Sequence, residues 1–308
     1  MSRCESNATR LDVRELDWYG PGMGHWTVGT VSVTAIVESE SKTSPKFLFR
    51  SVNRDDVLAI AAEATWLRPD FVDADGYLLQ RIQCLVIDTG TTRIAVDTCI
   101  GNNKRRVNPG WNDLQLPFLE DLRAAGYPPE SIDYVVCTHL HVDHIGWNTR
   151  LVDGRWVPTF PRARYVFVDR EVNHWRAEGP SAGEDLFGDS VAPILDAGLA
   201  DVVADDFRIC PEVRLDPTPG HTPGHVSVVI ESNGETAVIT GDMIHTPLQI
   251  ARVDLSSDFD TDPSMAARTR HAFLERYRNH VTVIGTHWGG AGSGRVHQDE
   301  AGRWSVVV

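Results

Sequence analysis

The 308-residue sequence predicts an α/β protein built as a four-layer αββα sandwich, two β-sheets face to face with helices over their outer surfaces. Three observations predict it. Two stretches read as β-hairpins: CLVIDTGTTRIAVDTCIG, turning near Thr89-Gly90-Thr91, and VSVVIESNGETAVITGDMI, turning at Asn233-Gly234. An Asn-Gly pair between apolar runs is a strong hairpin signal. Each hairpin is followed by a helical segment, and each helix leads into a short apolar strand ending in Thr-His, at His139 and at His287. The separation from Asp97 to His139 is 42 residues and from Asp242 to His287 it is 45, so the two halves repeat each other weakly. Strand ends from both halves then meet along one edge.

The elements follow in order. The chain reads as one domain over residues 1–308, with an N-terminal extension to about residue 30. Its start is polar and acidic and lacks the apolar core of a signal peptide, which predicts a mature cytoplasmic protein. WTVGTVSVTAIVE is strand-like, and RDDVLAIAAEATW is helix-like and stops before Pro69. LPFLEDLRAAGY predicts a helix ending near Gly126, followed by the strand YVVCTH. Between the halves lie the strand ARYVFVD, helical stretches near Glu171–Glu178 and Leu186–Ala197, and the loop AEGPSAGEDLFGDS. In the second half, Asp262 caps a helix whose first turn holds Pro263, and VTVIGTH is the closing strand.

Composition narrows the function classes. An apolar content of 42% with 23% charged residues is that of an ordinary soluble protein. No apolar run approaches the roughly 18 residues of a membrane span. The net charge of −14, from 29 basic and 43 acidic residues, repels phosphate backbones and anionic lipid. The expected partner is therefore a small-molecule substrate rather than nucleic acid or membrane, and a homo-oligomer is compatible with the aromatic N-terminal arm. Five cysteines without a C-x-x-C motif give neither a disulfide framework nor a zinc ribbon. Cys99 follows a strand and reads as a small core residue close to the site.

The chemistry concentrates in THLHVDHIGW, residues 138–147, which packs His139, His141, Asp143 and His144 into six positions. In extended backbone, residues i and i+2 point the same way, so His139 and His141 can reach one ion while Asp143 and His144 face a neighbour. Further donors follow in order: His221 and His225 in DPTPGHTPGH, Asp242 in VITGDMIH and His287 in VIGTHWGG. Each lies at a strand end or in a Pro/Gly-braced loop, where scaffolds place chemistry. Five histidines and two aspartates are too many for one tetrahedral ion, and two ions sharing Asp242 fit the count.

The ordered set H-L-H-V-D-H, P-G-H-T-P-G-H, G-D and G-T-H resembles the metallo-β-lactamase-fold hydrolases, over roughly residues 80 to 295. The resemblance implies the αββα sandwich and two divalent ions, zinc first, with manganese, iron or cobalt as alternatives. It places His139, His141 and His221 on one ion and Asp143, His144 and His287 on the other, with Asp242 between them. Class B β-lactamases generally lack the histidine found here as His144. Acyl-homoserine lactonases often carry a tyrosine three residues after the shared aspartate, where this chain has His245. That is similar to the methyl-parathion-hydrolase-like branch, which includes phosphotriesterases and lactone or aryl-ester hydrolases.

The expected function is a dinuclear metal-dependent hydrolase in which a metal-bridging hydroxide opens a lactone or cleaves an apolar ester. The same site on a phosphotriester is the alternative, followed by a mononuclear iron persulfide dioxygenase and a non-catalytic metal-binding protein. Asp143 and His245 are the expected proton-handling residues. Asp97 is expected to orient a ligand histidine and His225 to hold His221. Trp147 and Trp288, next to ligand motifs, are expected at the substrate pocket, and Trp18, Trp66, Phe71 and Trp175 as an apolar wall or as core.

Overall fold

The computed structural model describes residues 24–180 and 183–308. In the first half, β1 (His25–Val28) and β2 (Val31–Thr43) lead to α1 (Pro45–Leu48) and α2 (Arg54–Glu63). The hairpin β3 (Leu78–Asp88) and β4 (Arg93–Val96) follows, then α3 (Phe118–Ala124) and β5 (Tyr134–Val136). A small hairpin, β6 (Thr149–Val152) and β7 (Arg155–Pro158), precedes β8 (Arg164–Val168), α4 (Asp169–Glu178), α5 (Leu186–Ser190), α6 (Ala192–Asp196) and β9 (Ala200–Val203). The second half comprises β10 (Arg208–Cys210), β11 (Val213–Pro217), the hairpin β12 (Val226–Ser232) and β13 (Glu235–Ile239), α7 (Leu248–Ala251), α8 (Pro263–Arg276), β14 (Thr282–Ile284), β15 (Ser293–Gln298) and β16 (Trp304–Val307).

The strands form two seven-stranded sheets, ordered β1-β2-β3-β4-β5-β8-β9 and β10-β11-β12-β13-β14-β15-β16. The alternation of side chains shows why there are four layers. Leu85, Ile87, Ile94 and Val96 of the first sheet pack with Val228, Ile230 and Ile239 of the second, forming the inter-sheet core. Their neighbours Cys84, Val86 and Ala95 face outward onto Phe118 and Leu122 of α3. Val229 and Val238 face the other way, onto Phe273 and Leu274 of α8. A strand buried on both faces must be apolar throughout, which is why these strands read as unbroken runs.

The internal repeat is real in the backbone. In each half an antiparallel hairpin is followed by a helix and a strand parallel to the hairpin's second arm: β3-β4-α3-β5 and β12-β13-α8-β14. The second turn is tight because Asn233 and Gly234 both adopt positive φ, 50° and 81°. The parallel strands are shorter than expected and end at Val136 and Ile284. His139 and His287 thus stand in loops at matching positions beyond the last paired residues.

Two expectations change. The helical stretch Leu186–Ala197 is split at Val191, because Pro193 has no N–H to give to the Asp189 carbonyl. That carbonyl is taken instead by the Lys104 ammonium and the Thr149 hydroxyl. Of the N-terminal extension, residues 1–23 lie outside the described residues, and His25–Val28 already forms an edge strand of the first sheet. Among the described residues, no helix is long and apolar enough to cross a membrane.

The cap at Asp262, whose carboxylate accepts from the Met265 amide at 2.8 Å, starts α8 and thereby sets β14 in place. Asp262→Ala is expected to lower unfolding free energy by about 1 kcal/mol. A shift of the urea midpoint without a change in slope is the measurement that checks it.

Candidate metal centre

Seven donors converge where both sheets end on one edge. His139 Nε2 lies 3.0 Å from His141 Nδ1, which lies 2.9 Å from His221 Nε2. Asp242 Oδ2 completes this group at 3.8 Å from His139 and 3.5 Å from His221. In the second group, His144 Nε2 and His287 Nε2 are 3.2 Å apart. Asp143 stands 3.6 and 3.5 Å from those two nitrogens, and Asp242 Oδ1 3.4 and 3.1 Å from them. Donors about 2.0–2.1 Å from a tetrahedral ion stand roughly 3.3 Å apart, so both groups have the right span. Asp242 gives one oxygen to each.

The hydrogen bonds behind the rings fix which nitrogen faces inward. His221 Nδ1 donates to Asp260 Oδ1 at 2.9 Å, His144 Nδ1 to Asp97 Oδ2 at 2.9 Å, and His287 Nδ1 to the Arg81 carbonyl at 2.8 Å. The single proton of the Thr138 hydroxyl goes to the Asp97 carboxylate, so that oxygen accepts from His139 Nδ1 at 3.1 Å. With Nδ1 protonated, a neutral imidazole presents a bare lone pair at Nε2. The lone pairs of His139 and His221 then both face His141 Nδ1, while Nε2 of His144 and Nε2 of His287 face each other beside Asp242 Oδ1. Asp242 Oδ1 is buried with no hydrogen-bond partner among the described residues. Such a set is repulsive until something positive sits among it, and the donor types suit zinc or a similar divalent ion.

The electrostatics report the same need. Burial keeps His139 and His221 well below their ordinary pKa and brings His141 down to about 4. Burial also opposes charge on His144 and His287, but the carboxylates of Asp242 and its neighbours outweigh it. His144 is held well above its usual value and His287 rises to about 9. Asp242 stays ionised despite burial because His287, His144 and His245 surround it.

Local backbone carries the donors. Asp97 and Cys99 adopt positive φ, 55° and 54°, a costly conformation for residues with a Cβ. This turn interlocks with the ligand loop: Thr98 N donates to the His144 carbonyl, and Gly146 N and Trp147 N donate to the Cys99 and Thr98 carbonyls. Gly146 is required here, since a Cβ would lie 1.8 Å from the Ile100 carbonyl oxygen. Buried Glu38 accepts from Ile100 N, Gly101 N and Trp147 Nε1 at 2.9, 3.1 and 2.7 Å, which pins the turn.

The structure brings His139, His141, Asp143, His144, His221, Asp242 and His287 together. Asp97 lies behind His144, and His245 Nε2 is 3.2 Å from Asp242 Oδ2. His225 is structural, as expected: its Nδ1 bonds the Thr218 carbonyl at 3.1 Å across the loop that carries His221, its ring stands edge-on to the His221 ring, and its Nε2 also accepts from the Asp242 amide at 2.9 Å, fixing the turn that carries Asp242. Two expectations are corrected. Trp147 is core, stacked on Phe118 with its indole on Glu38, because the loop tucks its ring under the first sheet's helices. Trp288 is fully buried, edge-on to Phe71, with its N–H on the Ile244 carbonyl. Of the expected apolar wall, Trp18 lies outside the described residues, Phe71 and Trp66 pack in or against the core, and Trp175 lies 5.2 Å from the His141 ring. Sequence reasoning missed Asp260, Glu38 and Glu171, lone acids in unremarkable local sequence. It also missed the aromatic group of exposed Phe47, half-buried Trp111 and exposed Phe259, gathered from three segments, with Phe259 next to Asp260.

The profile of the Metallo-beta-lactamase superfamily matches residues 77–287. The chain belongs to the metallo-β-lactamase superfamily. An N-acyl homoserine lactonase from Bacillus sp. is 27% identical over 197 residues, covering 60% of this chain and 69% of that enzyme. The N-acyl homoserine lactonase AttM of Rhizobium radiobacter is 27% identical over 131 residues, 42% of this chain and 47% of its own. Among solved structures, hydrolase AbOPH of the β-lactamase superfamily superimposes with a TM-score of 0.75 at 24% identity, covering 93% of this chain and 97% of that one. AidC, a dizinc quorum-quenching lactonase, gives 0.72 at 20% identity, covering 93% of this chain and 97% of that one. At these identities the structural likeness establishes the fold. This member of the metallo-β-lactamase superfamily is a metal-dependent hydrolase.

The opposed pKa shifts predict a titration of the metal-free protein. The His287 ring signal is expected to have its midpoint near pH 9 and the His141 signal near pH 4. The signs follow from linkage. The raised His287 contributes stability below about pH 6.5, lost as pH rises toward 9. The depressed His141 opposes folding once pH falls below about 6.5. Histidine ring NMR over pH 3–10 in chelator checks both midpoints.

Proposed function

We propose that this protein is a dinuclear lactonase that opens acyl lactones, with two divalent ions, zinc in the first instance. The observation that supports it most is the division of Asp242, one oxygen toward His139, His141 and His221 and the other toward Asp143, His144 and His287. A site for a single ion would leave Asp143, His144 and His287 without a task. The lactonase relatives favour a lactone over a phosphotriester.

His139, His141 and His221 would hold one ion, Asp143, His144 and His287 the other, and Asp242 both. Bound there, the ions supply a water of lowered pKa, around 7, and draw off negative charge developing on the carbonyl. The chain supplies orientation and protons. Asp143 is the one donor carboxylate with appreciable solvent exposure, 14% of its side chain, so it can pass a proton to the departing alkoxide. His245 is held at both main-chain groups, its N–H by Gln249 and its carbonyl by Gln80, and its buried Nδ1 has no partner among the described residues. Its Nε2 faces Asp242 Oδ2 at 3.2 Å, so that nitrogen is the one set to hydrogen-bond an oxygen of the substrate. The aromatic group of Phe47, Trp111 and Phe259 offers an apolar surface for the acyl chain.

The test is turnover by zinc-loaded protein of matched N-acyl homoserine lactones, p-nitrophenyl esters and a methyl phosphotriester. Lactone turnover is expected to exceed the others, and His245→Ala to lower kcat by about 100-fold with both ions retained. Preference for the triester would contradict the lactone reading, as would no turnover by protein that holds two ions.

A further inference from the structure

We infer that Glu171 is a positioning residue that sets the affinity of the ion assigned to His139, His141 and His221. The inference rests on the dinuclear reading above. Glu171 is 1% exposed, in the first turn of α4, and none of its bonds is to a charged partner. Its Oε1 accepts from the Gly224 amide at 2.8 Å. Its Oε2 accepts from the Leu140 amide at 3.2 Å and from the Trp175 indole at 2.8 Å.

Those three donors are not arbitrary. Leu140 stands between His139 and His141 in the chain. Gly224 belongs to the loop that carries His221. Trp175 is one helical turn beyond Glu171 and sets its ring against His141 at 5.2 Å, with planes at 76°. One carboxylate therefore ties both ligand loops, which are about 80 residues apart in sequence, and the wall of the third ring to one point. The approach is close. A Cβ on Gly224 would lie 2.8 Å from the Glu171 amide nitrogen and 2.9 Å from Arg170 Cβ. The helix end and the loop are thus in direct contact, with no room for the loop to slide.

Glu38 does the corresponding work on the other side. It accepts from two backbone amides and the Trp147 indole, and the turn it pins carries Asp97, which holds His144. Glu171 braces loops of one donor group only, whereas Glu38 acts through Asp97, which holds His144 directly and His139 through Thr138. The two should therefore be separable by experiment.

Chelator-stripped full-length protein is titrated with zinc, and histidine ring NMR follows each imidazole. In Glu171→Gln the amide group turns a donor toward an N–H. The signals of His139, His141 and His221 are then expected to respond at about 10-fold higher free zinc than in the wild type. Those of His144 and His287 are expected to stay within about twofold. Glu38→Gln is expected to weaken the response of His144 and, through Asp97 and Thr138, that of His139 as well, so selectivity for one donor group is expected of Glu171→Gln alone. A folded Glu171→Gln protein with unchanged response, or with both sets weakened equally, overturns the inference. Should that variant not fold, Trp175→Phe decides. It keeps a ring beside His141 and removes only the indole donor, so a smaller but selective loss supports the inference and no loss overturns it. Failure of the dinuclear reading looks different, since the wild type itself would then show only one responding set of rings. If no ring responds in the wild type, both fall.

Discussion

The organisation of this molecule depends on one buried carboxylate. Asp242 is ringed by imidazoles, and its two oxygens face two separate donor groups. A carboxylate so deep is tolerated only with positive charge around it. Protonated His144 and His287 supply that charge in the metal-free chain. Two divalent ions would supply more of it and release those protons. The pKa shifts and the proposed metal sites are therefore two consequences of one electrostatic field. That field also explains why the rings are anchored from behind by Asp97, Asp260, Thr138 and the Arg81 carbonyl: only a fixed tautomer keeps every lone pair pointing inward.

The fold delivers the donors by repetition. Two hairpin–helix–strand units place His139 and His287 at matching positions beyond β5 and β14. The remaining donors come from loops that must be held in register, and the holding costs backbone strain at Asp97 and Cys99. Glu38 and Glu171 offset it by collecting amide donors from those loops. Neither residue needs to reach the reacting atoms to matter, since ligands misplaced by an ångström lose much of their affinity.

Most of this was legible in the sequence where local pattern and spacing carried it. Strands buried on both faces announce themselves as apolar runs, and the Asn233-Gly234 turn and the Asp262 cap are chemical signals at fixed positions. The donor set was legible because THLHVDHIGW, PGHTPGH, GD and GTH are dense in ligating residues. What stayed hidden depends on long-range packing. Asp260, Glu38 and Glu171 are lone acids that each bond a residue 31 to 109 positions away. Trp147 and Trp288 follow ligand motifs directly, yet each turns its ring into the core to satisfy its indole N–H. Adjacency in the chain says where a backbone goes, and not which way a ring points. The aromatic group of Phe47, Trp111 and Phe259 is likewise assembled from distant segments and has no local signature.

The central claim is that Asp242 divides two ions between the two donor groups. Anomalous scattering at the zinc edge, from crystals of zinc-loaded protein, tests it most directly. The account predicts two peaks, one among His139, His141 and His221 and one among Asp143, His144 and His287, with Asp242 in contact with both. A single peak, or a second one away from Asp143, His144 and His287 under saturating zinc, would contradict it.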